Sequence, residues 1–307
     1  MSVEALSRIV VPDGLAVAPA LPDVLPPVKL RRGFLGLVQR HPTVAIGGGL
    51  VLVLILMALL APLLATVDPT ALAPARRTRA PSPEHWFGTD MLGRDIYSRV
   101  VYGARVSLLV GFTVALLSSI IGLTIGLVSG FVRWADGVIM RVMDGLMSIP
   151  AILLAIALMA LTRGSVGNVI MAITIVEIPR VSRLVRSVVL SLREQPYVDA
   201  AIAAGTRTPL IILRHILPNT LAPMTVQATY ICAGAMIIEA ILSFIGAGTP
   251  PTIPSWGNIM AEGRALWQVK PFIIFFPALF LSVTVLAVNL LGDGLRDALD
   301  PRMAKEY

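Results

Sequence analysis

The sequence predicts an all-α integral membrane protein that crosses the bilayer six times, and three observations carry that prediction. Hydrophobic residues make up 56% of the 307 positions and charged residues 14%, with mean hydropathy +0.83. That is more apolar surface than the core of one soluble domain can bury. The apolar residues also gather into six stretches, each near the ~20 residues needed to cross the hydrocarbon layer. Finally, the basic residues fall mostly between those stretches, as membrane topology requires.

Residues 1–43 form a proline-rich tail, "APALPDVLPPVKLRR", without the compact apolar run and cleavage site of a secretory signal. Its basic end, Lys29, Arg31, Arg32 and Arg40, is expected in the cytoplasm. The first span covers about Val44–Thr66, and residues 67–105 form a linker on the periplasmic side. The second span, Val106–Val132, carries Ser118, Gly122, Gly126 and Gly130 at four-residue spacing. Small residues at that interval form one smooth stripe, read as close helix packing in preference to a glycine hinge. Val138–Leu161 and Val166–Val185 follow, separated by the short turn "TRGSVGN", then Leu221–Ile245 and Phe272–Leu291. Six crossings put both termini in one compartment, and most of the 25 Lys and Arg place it inside. The dissent comes from Arg76, Arg77, Arg79, Arg94 and Arg99, in a loop long enough to weigh little. Residues 297–307 form the second cytoplasmic tail.

Several function classes are excluded. A net charge of +7 could suit nucleic acid, but aromatic residues are 6% of the chain and the basic residues flank apolar runs, so no nucleic-acid partner is expected. Cys232 is the single cysteine, which rules out an intrachain disulfide and leaves a small apolar packing residue. The "GGG" at Gly47–Gly49 lacks the Lys-Ser/Thr of a phosphate loop, and G-x-x-x-x-G-K-[ST] occurs nowhere. His41, His85 and His215 fall far apart, so no metal, cofactor or catalytic set is expected.

The segment at about 190–219, between two apolar stretches, is unlike a plain loop. "YVDAAIAA" is a short run of good helix formers, and Gly205 can end it in the left-handed conformation. "TRTPLIILRHI" restarts a helix with Thr208 as N-cap and Pro209 at its first position, and Pro218 with Asn219 ends it. The product is a helix–turn–helix knuckle against one membrane face. Ala200, Ala201, Ala203 and Ala204 make its first arm slim enough to enter a partner's groove. The plainer reading is a surface helix in an ordinary loop.

This pattern resembles the EAA loop of bacterial ABC-importer permeases: Asp199-Ala200-Ala201, Gly205, then Ile216-Leu217-Pro218. Asp199 stands where that family usually has Glu, keeping the charge but shortening the reach, and His215 stands where isoleucine is common. "WFGTDMLGRDIYSRVVYGARVSL" (Trp86–Leu108), "EAILSFIGAGTPPTIPSWGNIM" (Glu239–Met260) and "NLLGDGLRDALDPR" (Asn289–Arg302) extend the resemblance to dipeptide/oligopeptide importer permeases, of the second, DppC/OppC type. The resemblance implies a type I importer core of the MetI-like kind at 106–296, with an extra N-terminal helix. It implies a pore subunit of the bacterial inner membrane, not an enzyme. The implied partners are a second homologous permease, two cytoplasmic ATPases that hydrolyse the ATP, a periplasmic or lipid-anchored solute-binding protein, and membrane lipid. Tyr197, Asp199, Ala200, Ala201, Gly205, Thr206, His215 and Pro218 would form the ATPase-coupling loop. Short peptides are the implied cargo, with nickel, opines and glycosides as alternatives. A secondary transporter would want inverted repeats or a carboxylate relay, and an intramembrane enzyme a convergent nucleophile or metal set.

Intramembrane charges complete the reading. Glu239, with no basic neighbour on its helix, should face the protein interior or an aqueous path. It is read as a helix–helix or gate contact in preference to a peptide-amine ligand. Arg141 with Asp144 and Glu177 with Arg180 are spaced to pair, while Arg183 and Arg186 snorkel towards the cytoplasm. Asp90, Arg94, Asp95 and Arg99 are read as structural, the acids capping a helix or pairing with the arginines. Trp256 closes the rigid "GTPPTIPSWGN" loop and has three readings: interface anchor, contact with the binding protein, or packing on the other permease.

Overall fold

The computed structural model describes residues 42–162 and 164–299. The expected tail up to His41, Lys29 to Arg40 included, and residues from Asp300 onwards lie outside that range. The described chain is helical: α1 (Pro42–Leu59), α2 (Ala61–Leu64), α3 (Ile96–Phe131), α4 (Arg133–Met147), α5 (Ala151–Ala160), α6 (Val166–Arg193), α7 (Pro196–Ala203), α8 (Thr208–Ile211), α9 (Leu217–Phe244), α10 (Trp256–Gly263) and α11 (Phe272–Leu299). Among the described residues, one isolated β-bridge, Thr89 to Asp95, lies in the linker.

Among the described residues, four helical stretches are long and apolar enough to cross a membrane: Pro42–Leu59, Ile96–Phe131, Thr208–Phe244 and Phe272–Leu299. The expected third span differs from the prediction. It is two helices, α4 and α5, bent 88° apart across Ser148, Ile149 and Pro150, and counts as a fifth span only if taken as one broken crossing. Pro150 has no N–H to continue α4, and its ring disfavours the helical conformation at Ile149. The remaining stretch, Val166–Val185, lies within α6, where Glu177, Arg180 and Arg183 interrupt the apolar run.

The glycine stripe of α3 packs on α6. A Cβ at Gly122, Gly126 or Gly130 would sit 2.5, 2.5 and 2.7 Å from the Cβ atoms of Val181, Val185 and Val189. All three valines are buried. Both series advance by four residues in the same sense, so the two helices run parallel, valine knobs seated in the groove left by missing side chains. Lipid tails are as apolar as the valines, so this contact holds by close packing rather than by expelling water. Elsewhere α1 meets α11 where Gly47 approaches the Leu291 backbone, and α9 meets α3 where Met236 and Cys232 lie over Gly111.

The linker is clamped by charge. Asp90 accepts from the Nε of Arg94 at 2.7 Å and from Arg99. Glu262 of α10 accepts from Arg94 at 2.6 Å and from the second guanidinium nitrogen of Arg99 at 3.0 Å. Asp95 is the N-cap of α3, accepting from the Ser98 amide at 2.8 Å, and its other oxygen lies 2.9 Å from Nδ1 of the buried His85. Burial alone would raise the Asp90 carboxyl, but Arg99, Arg94 and two backbone N–H donors outweigh it and hold the group below its ordinary value.

Two pairings on α6 depart from the sequence reading. Asp144 bonds Arg183 instead of Arg141, and Arg186 is engaged by Asp136 at 2.6 Å, so neither arginine simply snorkels. Helix α4 crosses α6 there and supplies both acids. Arg180 does pair with Glu177, at 3.0 Å.

Substitutions test this packing and the charged clamp. Gly126→Ala should destabilise the protein by about 1–3 kcal/mol through overpacking on Val185. Gly145→Ala, whose new Cβ meets nothing within 4 Å, should instead gain up to about 1 kcal/mol of helix propensity; thermal unfolding in detergent reads both. Arg99→Ala should cost about 3 kcal/mol by leaving Asp90 short of charge compensation. The wild-type Asp90 contribution is present above the ordinary carboxyl pKa and lost as pH falls through the lowered one. Its unfolding temperature should therefore hold down to about pH 4 and drop below it, whereas Asp90→Asn should flatten that acid limb.

Candidate functional site

The knuckle forms as a two-armed projection from the bundle. Pro196 sits in the first turn of α7, where its missing N–H costs nothing. At the other end the Gly205 amide donates to the Ile202 carbonyl at 2.9 Å and the Thr206 amide to Ala201 at 3.1 Å. That paired pattern is a Schellman cap, and it needs Gly205 at φ +76°. Nothing lies within 4 Å of where a Gly205 Cβ would be, so the requirement is the backbone conformation and not space.

The second arm differs from its prediction. Arg207, not Thr208, occupies the N-cap position, no side chain caps it, and Pro209 is the second helical residue. Nor does Pro218 end the arm. The helix runs on from Thr208 to Phe244 through a π-turn at Ile212–Ile216, whose closing bond joins the Leu217 amide to the Ile212 carbonyl. A proline inside an α-helix removes one bond and its ring clashes with the carbonyl four residues back. The wider turn just before Pro218 relieves that clash, and the Asn219 side-chain amide satisfies the His215 carbonyl at 2.7 Å.

Three side chains root the knuckle: Val198, Ile211 and Ile216 are buried. Around them lies an outward surface that the described residues leave uncovered. Ile202, Leu210 and Leu213 are 52%, 50% and 60% exposed, and Tyr197 42%. Tyr197 packs beside His215, ring centroids 6.2 Å apart, which makes His215 a half-buried ring contact. Asp199, Ala200 and Gly205 are exposed, Ala201 and Thr206 half-buried, and the carboxylate of Asp199 has no partner among the described residues. A small apolar surface with one unpaired acid is suited to docking a protein groove, and it holds no nucleophile–base pair.

Glu239 belongs to a second, separate constellation. It is fully buried and joins α9 to α3, its carboxylate accepting from Ser243 at 2.8 Å and from Ser107 at 3.3 Å. The chain of hydroxyls continues from Ser243 to Thr249 at 3.1 Å and to Ser255, the N-cap of α10, at 3.3 Å. Asn258 closes it, donating to Thr249 at 2.9 Å and to the carbonyls of Pro250 and Ile253. The "GTPPTIP" loop is thereby folded over Glu239. Trp256 is corrected by this packing. It is fully buried, with its indole N–H donating to the Val100 carbonyl at 3.0 Å, so it reaches neither the interface nor a partner. A buried indole needs an acceptor, and one lies on α3, at a position no local pattern reveals. Ser107, Ser243, Ser255 and Glu262 escaped the sequence reading; only "PSWGN", a Ser three residues before Asn, carried a local capping signal.

Gly205→Val isolates the cap. Holding a β-branched residue in the left-handed region costs about 1–2 kcal/mol, which corresponds to amide exchange at Thr206 about 5–30-fold faster. Exchange along α3 should be unchanged in the same sample.

Comparison with known proteins accords with this architecture. The family described as "Binding-protein-dependent transport system inner membrane component" matches residues 118–305, and the "N-terminal TM domain of oligopeptide transport permease C" matches residues 39–81. A probable peptide ABC transporter permease protein from Sinorhizobium fredii is 56% identical over 86% of this chain and 90% of its own length. The dipeptide transport system permease protein of Alkalihalophilus pseudofirmus is 46% identical over 81% and 82%. A glutathione transport system permease protein from Escherichia coli is 48% identical over 73% and 74%. Among solved structures, the inward-facing MetNI methionine ABC transporter shares the fold, with TM-score 0.54 at 19% identity, covering 67% of this chain and 98% of that one. The chain therefore belongs to the family of binding-protein-dependent transport system inner membrane components.

Proposed function

We propose that this chain is one of two permease subunits of an ATP-driven importer of short peptides. The observation that carries the reading is the α7–Gly205–α8 knuckle: rooted by Val198, Ile211 and Ile216, yet presenting Ile202, Leu210, Leu213 and an unpaired Asp199 outwards. Such a surface suits a motor protein's groove. The continuous helix from Thr208 to Phe244 gives any push on the knuckle a rigid path into the bundle, ending beside Glu239.

The work comes from partners. ATP binding draws two cytoplasmic ATPases together, the knuckle moves with them as a rigid body, and the membrane helices tilt from inward-open to outward-open. Hydrolysis and product release reset the bundle. A binding protein, periplasmic or lipid-anchored, delivers cargo from outside. The chain would sit in the bacterial inner membrane with its termini and knuckle in the cytoplasm. Relatives named for peptides, dipeptides and glutathione support peptide cargo.

Reconstitution in vesicles tests the reading. Peptide uptake should require the partner permease, both ATPases, the binding protein and ATP; uptake without nucleotide would overturn it. Ala201→Arg, which puts a long cation on the slim face of α7, should abolish copurification of the ATPases while membrane insertion persists. Gly205→Val should insert and assemble but lose most ATP-driven uptake.

A further inference from the structure

Helix α4 has three distinct faces. Ala135 and Met143 are buried and Ile139 and Leu146 half-buried, so this arc packs on the rest of the chain. Trp134, Val138 and Val142 follow one another at four-residue spacing and are 82%, 66% and 55% exposed. Arg133, Gly137, Arg141 and Asp144 occupy the adjoining arc, at about 100° per residue. An apolar strip thus lies uncovered between a protein-facing arc and a polar one.

We propose that α4 lies flat in the bilayer–water interface on the side that bears the knuckle, with Trp134, Val138 and Val142 among acyl chains and Arg133 and Arg141 at anionic headgroups. Three observations point there. First, α5 has only ten residues, about 15 Å of the ~30 Å hydrocarbon layer, and α4 turns 88° from it; the pair is not one straight crossing. Second, α4 is tied to α6 through Arg183 and Arg186, where the apolar run of α6 gives way to its charged end. A helix held at that depth and turned at right angles to α5 runs along the membrane surface. Third, Asp136 and Asp144 are taken up by those two arginines, whereas Arg133 and Arg141 have no acidic partner among the described residues. What remains on the outer arc is net positive and complements phospholipid phosphate. Segregated faces, a tryptophan and flanking arginines are what the interface selects. The proposal is independent of the cargo and of the knuckle's partner.

Site-directed spin labelling tests it. Val138→Cys, Val142→Cys and Gly137→Cys are made one at a time in a Cys232→Ala background and labelled in the assembled transporter, in nanodiscs of phosphatidylethanolamine and phosphatidylglycerol. Labels at 138 and 142 should collide with oxygen several-fold more than with a water-soluble nickel chelate, and the label at 137 should reverse that ratio. Labels at 138 and 142 that are immobile and shielded from both reagents would mean that a protein subunit covers the strip. Free access of the nickel chelate would mean that it lines an aqueous path. Either result overturns the proposal.

Discussion

The bundle depends on one close approach, the seating of Val181, Val185 and Val189 against Gly122, Gly126 and Gly130. Within lipid there is no water to expel between helices, so attraction falls off with each tenth of an ångström of separation and only near-contact backbones hold well. Because the stripe and the valines both repeat every four residues, α3 and α6 meet along a line instead of at a point. That line sets where α6 presents its charged end. Arg183 and Arg186 there receive the acids of α4, and just beyond them α7 begins.

Polar groups are placed as a second layer on this apolar frame, and almost all of the buried ones are satisfied. Two assemblies at the opposite end from the knuckle show how. Asp90, Arg94, Arg99 and Glu262 neutralise one another where the linker meets α10, and Glu239 sits in a net of hydroxyls and one amide that binds the loop before α10 to α3 and α9. Removing one member of either set would strand a buried charge or acceptor, the costliest defect in a low-dielectric setting. Both sets therefore stiffen the end of the bundle remote from the knuckle. The contrast suits a lever: one end locked by charge and hydroxyl networks, the other an exposed projection with few anchors.

The π-turn before Pro218 belongs to the same picture. It lets a proline sit within a continuous helix instead of breaking it, so the second arm of the knuckle and the long membrane helix are one rod. In the proposed coupling, a flexible joint at that point would dissipate displacement, whereas a continuous rod would transmit it.

Short-range constraints were legible in the sequence. The apolar run lengths gave most of the helices, the four-residue glycine repeat marked a packing face, and Gly205 announced a left-handed cap because only glycine adopts that backbone without strain. Each of these is settled by a few neighbouring residues. Partnerships across the chain were not legible: Asp144 chose Arg183 over the nearer Arg141, Glu262 met Arg94 at a separation of 168 residues, and Trp256 turned inward to a carbonyl on α3. The corner at Ser148–Pro150 and the unbroken helix through Pro218 belong with them, since a proline fixes only its own φ and the loss of one hydrogen bond. Whether the chain then bends or widens its turn depends on what packs against it, and that is decided only once the helices have assembled.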